Sequence, residues 1–406
     1  MASRAILKGL TSDQPTPQDR QCWDVLAKDS PVAVMLVTLR QSSKEHIPRL
    51  VTVPQCSEQP GVGIHLSPAE LRAGKMTDDN LIKVMGALYR DGFVLLENAI
   101  PPEDCKALSD KMQAEAADIL HRDDTHYNFK NPTSAQQSPP LTSEWLFPSI
   151  MNNPFAEQVM VNMLGPQPEL RFLSANTLYP GGIRQPVFVC PEPFPPCELL
   201  SCGLIRHADI HFEPLDFFWT LNTAITLIDC DPVQGTTELW PGTHRLNLTA
   251  CSKGTREGGP FDPAEIGMIP TEMLEERRKT HPPVQLTHKQ GSLVIRALNL
   301  WHAGMPNGGD QVRVMLSLMH FAKWYTGDNT CKLGFPLEAK SKLMDIFDGR
   351  VNDSETDATG CRLPCHFQDK IDHLSLGHTW EFRGRQPGTK GPALPKCAHH
   401  LLKEKV

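Results

Sequence analysis

A chain of 406 residues, 40% of them hydrophobic, suffices for one large domain or two ordinary ones and can bury a sizeable core. Its net charge of -7, with no Lys/Arg block, argues against nucleic acid or an anionic membrane surface as the main partner. The 12 cysteines include no C-x-x-C pair, which disfavours a disulfide framework or a structural zinc site and suits reduced thiols. No secretory h-region, membrane span or retention tail is evident, the apolar run Val32 to Val37 being far too short to cross a bilayer, so a cytoplasmic enzyme is expected.

Residues 1–74 are interrupted by prolines and polar clusters and read as an N-terminal extension, partly disordered. Thr77 is placed to cap an amphipathic helix with Leu81, Val84, Met85 and Leu88 on one face. Asp91-Gly92 then turns the chain into a buried strand, Phe93 to Leu96. A second helix follows Pro101-Pro102 and carries Cys105, Leu108 and Met112. Residues 123–145, polar and rich in proline, read as a long loop, and Asn153 to Leu164 as a helix. Strands follow at Leu170–Leu178, Phe217–Ile228, Thr237–Trp240, Ser292–Trp301 and Val312–Phe321, with a polar, partly helical excursion over 252–282. Leu221, Thr223, Ile225 and Leu227 share one face of the second of these strands. Helices followed by many short strands predict an α+β fold with a double-sheeted barrel at its core, a catalytic domain over 75–330 and a C-terminal extension over 331–406.

The chemistry resides in Arg206-His-Ala-Asp-Ile-His-Phe212. His207 and Asp209 are two apart, so on a strand they face the same side and can converge on one ion. His302, in Asn-Leu-Trp-His-Ala-Gly, completes two histidines and one carboxylate, the facial triad that leaves positions open on Fe(II). Asn307-Gly308-Gly309-Asp310 reads as a hairpin turn that sets His302 opposite Arg313. A guanidinium beside the iron suits a dicarboxylic co-substrate, because its planar fork binds both oxygens of a carboxylate. An isolated H-x-D is weak in a chain with 16 histidines, and the arginine is what makes the pattern specific. His211 reads as structural or substrate-facing, and His244, after Pro-Gly-Thr, as structural.

Over Met76 to Tyr325 the sequence resembles the phytanoyl-CoA dioxygenase family, in particular its fungal secondary-metabolism members. The resemblance is carried by Arg90 to Leu96, Leu164-Gly165-Pro166, His207-Ala208-Asp209, Gly235 to His244 (with Gln234 where asparagine is usual), Trp301 to Gly304, and Arg313. It implies a double-stranded β-helix, Fe(II) held by His207, Asp209 and His302, and 2-oxoglutarate anchored on Arg313 and decarboxylated to succinate and CO2 with O2. It also makes Gln185, Asn176 and Thr237 candidates for further 2-oxoglutarate contacts. Retention of Asp209 favours oxygenation over the halogenating relatives. Trp219, Phe217 and Trp301 could line an apolar pocket, but aromatic core packing is the favoured reading for any one of them. The implied reaction is hydroxylation, desaturation or cyclisation of a small apolar metabolite. The alternatives are an inactive barrel that binds a ligand or partner, and a zinc-dependent cupin-like hydrolase or isomerase. Oligomeric state is not expressed in the sequence.

Residues 188–206 are out of character, with four prolines and three cysteines immediately before a metal ligand. Their removal joins Arg184-Gln185-Pro186-Val187 to His207-Ala208-Asp209, and the genetic code permits that excision in frame. The segment therefore reads as a translated intron, without regular structure and bulging from the barrel. The rival reading is a substrate-covering loop.

Overall fold

The computed structural model describes residues 60–61, 63–128, 131–187, 218–246, 269–323, 325, 333–352 and 358–375. His207, Asp209, His211, Phe217 and the whole of 188–206 lie outside the described residues.

The N-terminal elements are a short strand β1 (Ile64–His65), helix α1 (Pro68–Ala73), helix α2 (Asp78–Asp91), strand β2 (Phe93–Glu97) and helix α3 (Pro102–Leu120). Thr77 caps α2 as its sequence suggests, its hydroxyl accepting from the Asn80 amide at 3.3 Å. Gly92 ends α2 at φ 83°, and its carbonyl at once accepts from Ala297 N at 2.8 Å, so the cap residue is also the first anchor of the sheet. Val84 and Leu88 of α2, and Cys105, Leu108 and Met112 of α3, are buried. The stretch expected as a loop over 123–145 contains strand β3 (Ser134–Gln137). Ser-Ala-Gln-Gln has no apolar alternation. It is held at the sheet edge by pairing with the next strand and by amide side chains, a signal that lies in the tertiary structure.

Helix α4 (Pro154–Leu164), capped by Asn153, leads into β4 (Glu169–Leu178). The remaining elements are β5 (Thr220–Thr226), β6 (Glu238–Leu239), α5 (Thr271–Thr280), β7 (Val284–Gln285), β8 (Leu293–Ala297), β9 (His302–Ala303), β10 (Arg313–Phe321), β11 (Leu333–Pro336), α6 (Lys340–Ile346) and β12 (Cys365–Gln368). A large sheet runs β1-β2-β8-β5-β10-β4-β3, antiparallel apart from β1 against β2. A small antiparallel sheet runs β7-β6-β9. Together they make the α+β, jelly-roll type of core that the sequence predicts.

All seven residues of β5 are buried, because both faces of the large sheet are covered. Leu221, Thr223 and Ile225 share one face, as predicted from their period of two, and the helices pack against the large sheet. Ala224 and Thr226 face a cavity that the small sheet also lines. Residues 333–365 supply Leu333, Phe335, Leu343, Phe347 and Leu363 to the same hydrophobic core as the barrel strands. No helix among the described residues is long and apolar enough to cross a membrane.

The expected hairpin between His302 and Arg313 does not form. The single strand expected over 292–301 breaks after Ala297, where Leu300 N donates to Ala297 O at 3.3 Å and the Asn299 side chain donates to His244 O at 2.8 Å. That turn carries the chain from the large sheet to the small one, so β9 pairs with β6 while β10 pairs with β4 and β5. Asn307 is fully buried in the crossover between β9 and β10. Its Nδ2 donates to Leu178 O at 3.2 Å and to Gln311 O at 2.7 Å, and its Oδ1 accepts from Gly309 N at 3.0 Å. The Asn-Gly-Gly sequence thus serves a sheet-to-sheet passage and not a two-residue turn.

Candidate active site

The cavity lies between the two sheets. Asn176 and Leu178 of β4, Ala224 and Thr226 of β5, Val294 and Arg296 of β8, and Arg313 and Met315 of β10 face it from the large sheet. The register explains the grouping: Met315 pairs with Thr226 on one side and Asn176 on the other, and Arg313 pairs with Leu178. Leu239 and His302 face it from the small sheet.

His302 is 5% exposed. Its Nδ1 lies 2.8 Å from Leu300 O, which can only accept, so Nδ1 carries the proton and Nε2 presents a lone pair to the cavity. The Arg296 guanidinium meets that lone pair, with Nη2 at 3.2 Å. Burial, reinforced by the Arg296 charge, holds His302 well below the usual histidine range and keeps it neutral. A neutral imidazole with its outer nitrogen fixed by a backbone carbonyl is the form in which histidine binds a metal.

Arg313 stands at the start of β10, 4% exposed, and its Nε has no hydrogen-bond partner among the described residues. A buried guanidinium is costly unless an anion meets it. Beside it in the cavity wall, His288 Nε2 lies 3.5 Å from Thr226 Oγ1, and burial lowers His288 to about 4, so its ring is neutral.

Each of the other sequence candidates that is described reaches the cavity. Gln185 fastens the chain just past His302: its backbone N donates to Gly304 O at 2.8 Å, and its Oε1 accepts from Gly304 N at 3.1 Å. Its Nε2 donates to Ser134 Oγ at 3.3 Å. Asn176 Oδ1 accepts from Asn128 Nδ2 at 2.8 Å and Gln136 Nε2 at 2.9 Å, which turns its own Nδ2 toward the cavity. Thr237 lines the wall with its hydroxyl 3.7 Å from Met315 Sδ. The tryptophans do not line the cavity. Trp219 packs at a tilt against Phe321 and Tyr325 in the core, and Trp301, 1% exposed, packs on Trp240 in a separate small cluster. Bulk decided their positions, as it does for most large aromatics. His244 is structural as expected, buried and stacked on Phe218 at 5.7 Å, with burial lowering it to about 4.

Arg296, His288 and Thr226 were not singled out in the sequence. Alternation along β8 and β5 would have put Arg296 and Thr226 on the inner face, but only once the buried face was known. His288 follows β7 in a connection that carries no local signal.

The family model for phytanoyl-CoA dioxygenase matches residues 201–315, a span that holds His207, Asp209, His302 and Arg313. That family consists of enzymes that use Fe(II), 2-oxoglutarate and dioxygen. Among solved structures, the chain is similar to the non-haem α-ketoglutarate-dependent epimerase SnoN of nogalamycin biosynthesis, at 15% identity over 60% of this chain and 84% of that one, with a TM-score of 0.39. It is likewise similar to the carbocyclase SnoK of the same biosynthesis, at 14% identity over 61% and 85% of the two chains, with a TM-score of 0.41.

Proposed function

We propose that this chain, whose residues 201–315 match the family model for phytanoyl-CoA dioxygenase, oxidises a small metabolite by hydroxylation, desaturation or cyclisation, releasing succinate and CO2 from 2-oxoglutarate. The observation that carries this reading is a buried guanidinium, Arg313, in the same cavity wall as an outward-facing imidazole lone pair, His302 Nε2.

The described residues fit the groups that the reaction requires. The lone pair of His302 already faces a cation, the Arg296 guanidinium, and Arg313 offers an anion its fork. In this reading His302 would hold iron together with His207 and Asp209, and bound iron with dioxygen and 2-oxoglutarate supplies the oxidising power. Leu300 O holds the His302 tautomer by accepting from Nδ1. Arg313 binds and orients the far carboxylate of the co-substrate, with Thr226 and His288 beside it. Asn176 offers an amide N–H to the cavity, and Gln185 fixes the strand end behind His302. Leu178, Leu239, Val294 and Met315 line the cavity with apolar surface that limits water around the reacting groups.

The test is succinate release from 2-oxoglutarate by purified protein with Fe(II), with and without candidate metabolites, alongside iron content. His302→Ala is expected to lose bound iron and succinate release while keeping the circular dichroism of the parent. A His302→Ala protein that retains iron and full turnover overturns the assignment of this ligand. A parent protein that never turns over 2-oxoglutarate overturns the reading as a whole.

A further inference from the structure

Strand β5 runs along the cavity from one end to the other. At one end Asn222 pairs with Arg296 of β8, whose guanidinium meets His302 Nε2 at 3.2 Å. Four residues further on, Thr226 Oγ1 lies 3.5 Å from His288 Nε2. Ala224 stands between these two points, and Ala224, Thr226 and His288 all line the cavity. An extended strand rises about 3.3 Å per residue, so roughly 13 Å of backbone separates the His302 end from the His288 end. Arg313 belongs to the second end. The carbonyl of its neighbour Val314 accepts from Leu227 N at 3.2 Å, which sets Arg313 level with the residues just past Thr226.

His288 is a fixed part of that end. Its backbone is tied at both polar groups: His288 N donates to Cys230 O and Cys230 N donates to His288 O, each at 2.9 Å. The next residues outward, Lys289 and Asp229, form an exposed ion pair at 2.7 Å, and Gln290 N donates to Asp229 Oδ1 at 2.9 Å, so this bridge is also pinned from the surface side. The side chain is 7% exposed, and Cys230 is 3% exposed. Burial lowers the ring to about 4, so at neutral pH it adds bulk beside Arg313 and no charge. A close-packed wall whose backbone cannot withdraw does not stretch to admit an extra methylene.

We propose that His288 sets the length of the 2-oxo diacid that this enzyme accepts as co-substrate. The inference rests on the functional reading given above. A diacid held at the His302 end reaches Arg313 with its far carboxylate, and the His288 ring closes the space beyond. Thr226 lies in the sheet beside the diacid and Arg313 binds its charge, so the imidazole is the side chain that stops it. The ring leaves room for 2-oxoglutarate and not for 2-oxoadipate, which is one methylene longer. His288 is in this sense a specificity-determining residue, acting by bulk and not by charge.

The experiment uses the full-length protein loaded with Fe(II) under nitrogen. Dissociation constants of oxaloacetate, 2-oxoglutarate and 2-oxoadipate, which differ by one methylene each, are measured by titration calorimetry and by the visible iron-to-2-oxo-acid charge-transfer band. The parent is expected to bind 2-oxoadipate about tenfold or more weakly than 2-oxoglutarate. His288→Ala is expected to bind 2-oxoadipate more tightly than the parent does and to bring these two diacids within about threefold of each other, while oxaloacetate gains nothing. His288→Phe, with a larger ring, is expected to shift the order the other way, weakening 2-oxoglutarate about tenfold relative to oxaloacetate. Three results overturn the inference: a parent that binds 2-oxoadipate as tightly as 2-oxoglutarate, a His288→Ala protein that keeps the parent's preference, or one that weakens all three diacids together, as a merely structural role would. Should His288→Ala lose the circular dichroism of the parent, His288→Phe decides, and an unchanged ratio of 2-oxoglutarate to oxaloacetate overturns the inference. A parent that binds none of the three diacids overturns the functional reading, and this inference with it.

Discussion

At the scale of single residues, Arg313 and Arg296 have the same chemistry and line the same cavity. Arg313 lies far enough inside that burial lowers its pKa, and it has no carboxylate beside it among the described residues. Arg313→Lys keeps a charge but loses the two-pronged geometry. It is expected to raise the dissociation constant for 2-oxoglutarate about tenfold to a hundredfold, roughly 1.4 to 2.7 kcal/mol, with iron affinity nearly unchanged. Titration of 2-oxoglutarate into the iron-loaded variant measures this, and an unchanged constant removes Arg313 from the co-substrate site. Arg313 could be singled out in the sequence because it stands at a fixed remove from a histidine next to a glycine-rich turn. Arg296 could not. In Leu-Val-Ile-Arg-Ala an arginine reads as an outward-facing residue at a strand end, and only a sheet covered on both faces turns it inward.

Elements were legible wherever a local signal fixed them. The Thr77 cap, the apolar face of α2, the Gly92 stop and the strand after it all came from neighbours in sequence. The switch from β8 to β9 was not legible, because it depends on the Asn299 side chain donating to His244 O, 55 residues away, and on Trp301 N donating to Thr243 Oγ1, 58 residues away. Strand β3 was missed for the same reason: its stability comes from β4 and from the Asn128, Gln136 and Asn176 amides, not from its own pattern. The junction of α2 and β2 gives a prediction at this scale. Gly74 and Gly92 both cap helices in the left-handed region, at φ 58° and φ 83°. A Cβ on Gly74 meets nothing nearer than 3.8 Å, whereas one on Gly92 falls 2.4 Å from His244 Nδ1 and 2.8 Å from Leu300 Cδ1. Gly74→Ala is expected to cost about 1 kcal/mol from the backbone alone. Gly92→Ala is expected to cost about 2 to 4 kcal/mol, because His244 and Leu300 must also move. Urea midpoints of the two variants compare them, and equal losses exclude the steric contribution.

For the whole molecule, acidity is the sensitive variable. His244, His288 and His320 are all lowered to about 4, with burial as the leading cause in each case. The unfolded chain takes up protons on these rings near pH 6.5, while the folded chain resists until about pH 4. Stability from this source is therefore complete above pH 6.5 and falls as the pH drops toward 4, by up to about 1.4 kcal/mol per pH unit for each ring. Urea unfolding at pH 7, 6 and 5 is expected to show a declining midpoint. His320→Leu, which removes a ring lowered by burial alone, is expected to flatten the decline by about one proton. A pH-independent midpoint would show that the rings are not held neutral by the fold.

The passage of the chain from one sheet to the other has a mechanical consequence. His302 belongs to the small sheet and Arg313 to the large one, and the peptide between them crosses over through Asn307 without cross-strand pairing of the two. A co-substrate gripped at both residues acts as a removable rivet through the sandwich. Its binding is expected to slow amide hydrogen exchange in β9 and β10 together, while α1 and the outer strand β1 exchange as before. Protection confined to one of the two strands would mean that the ligand rests on a single sheet, and the sandwich would then be free to breathe around it.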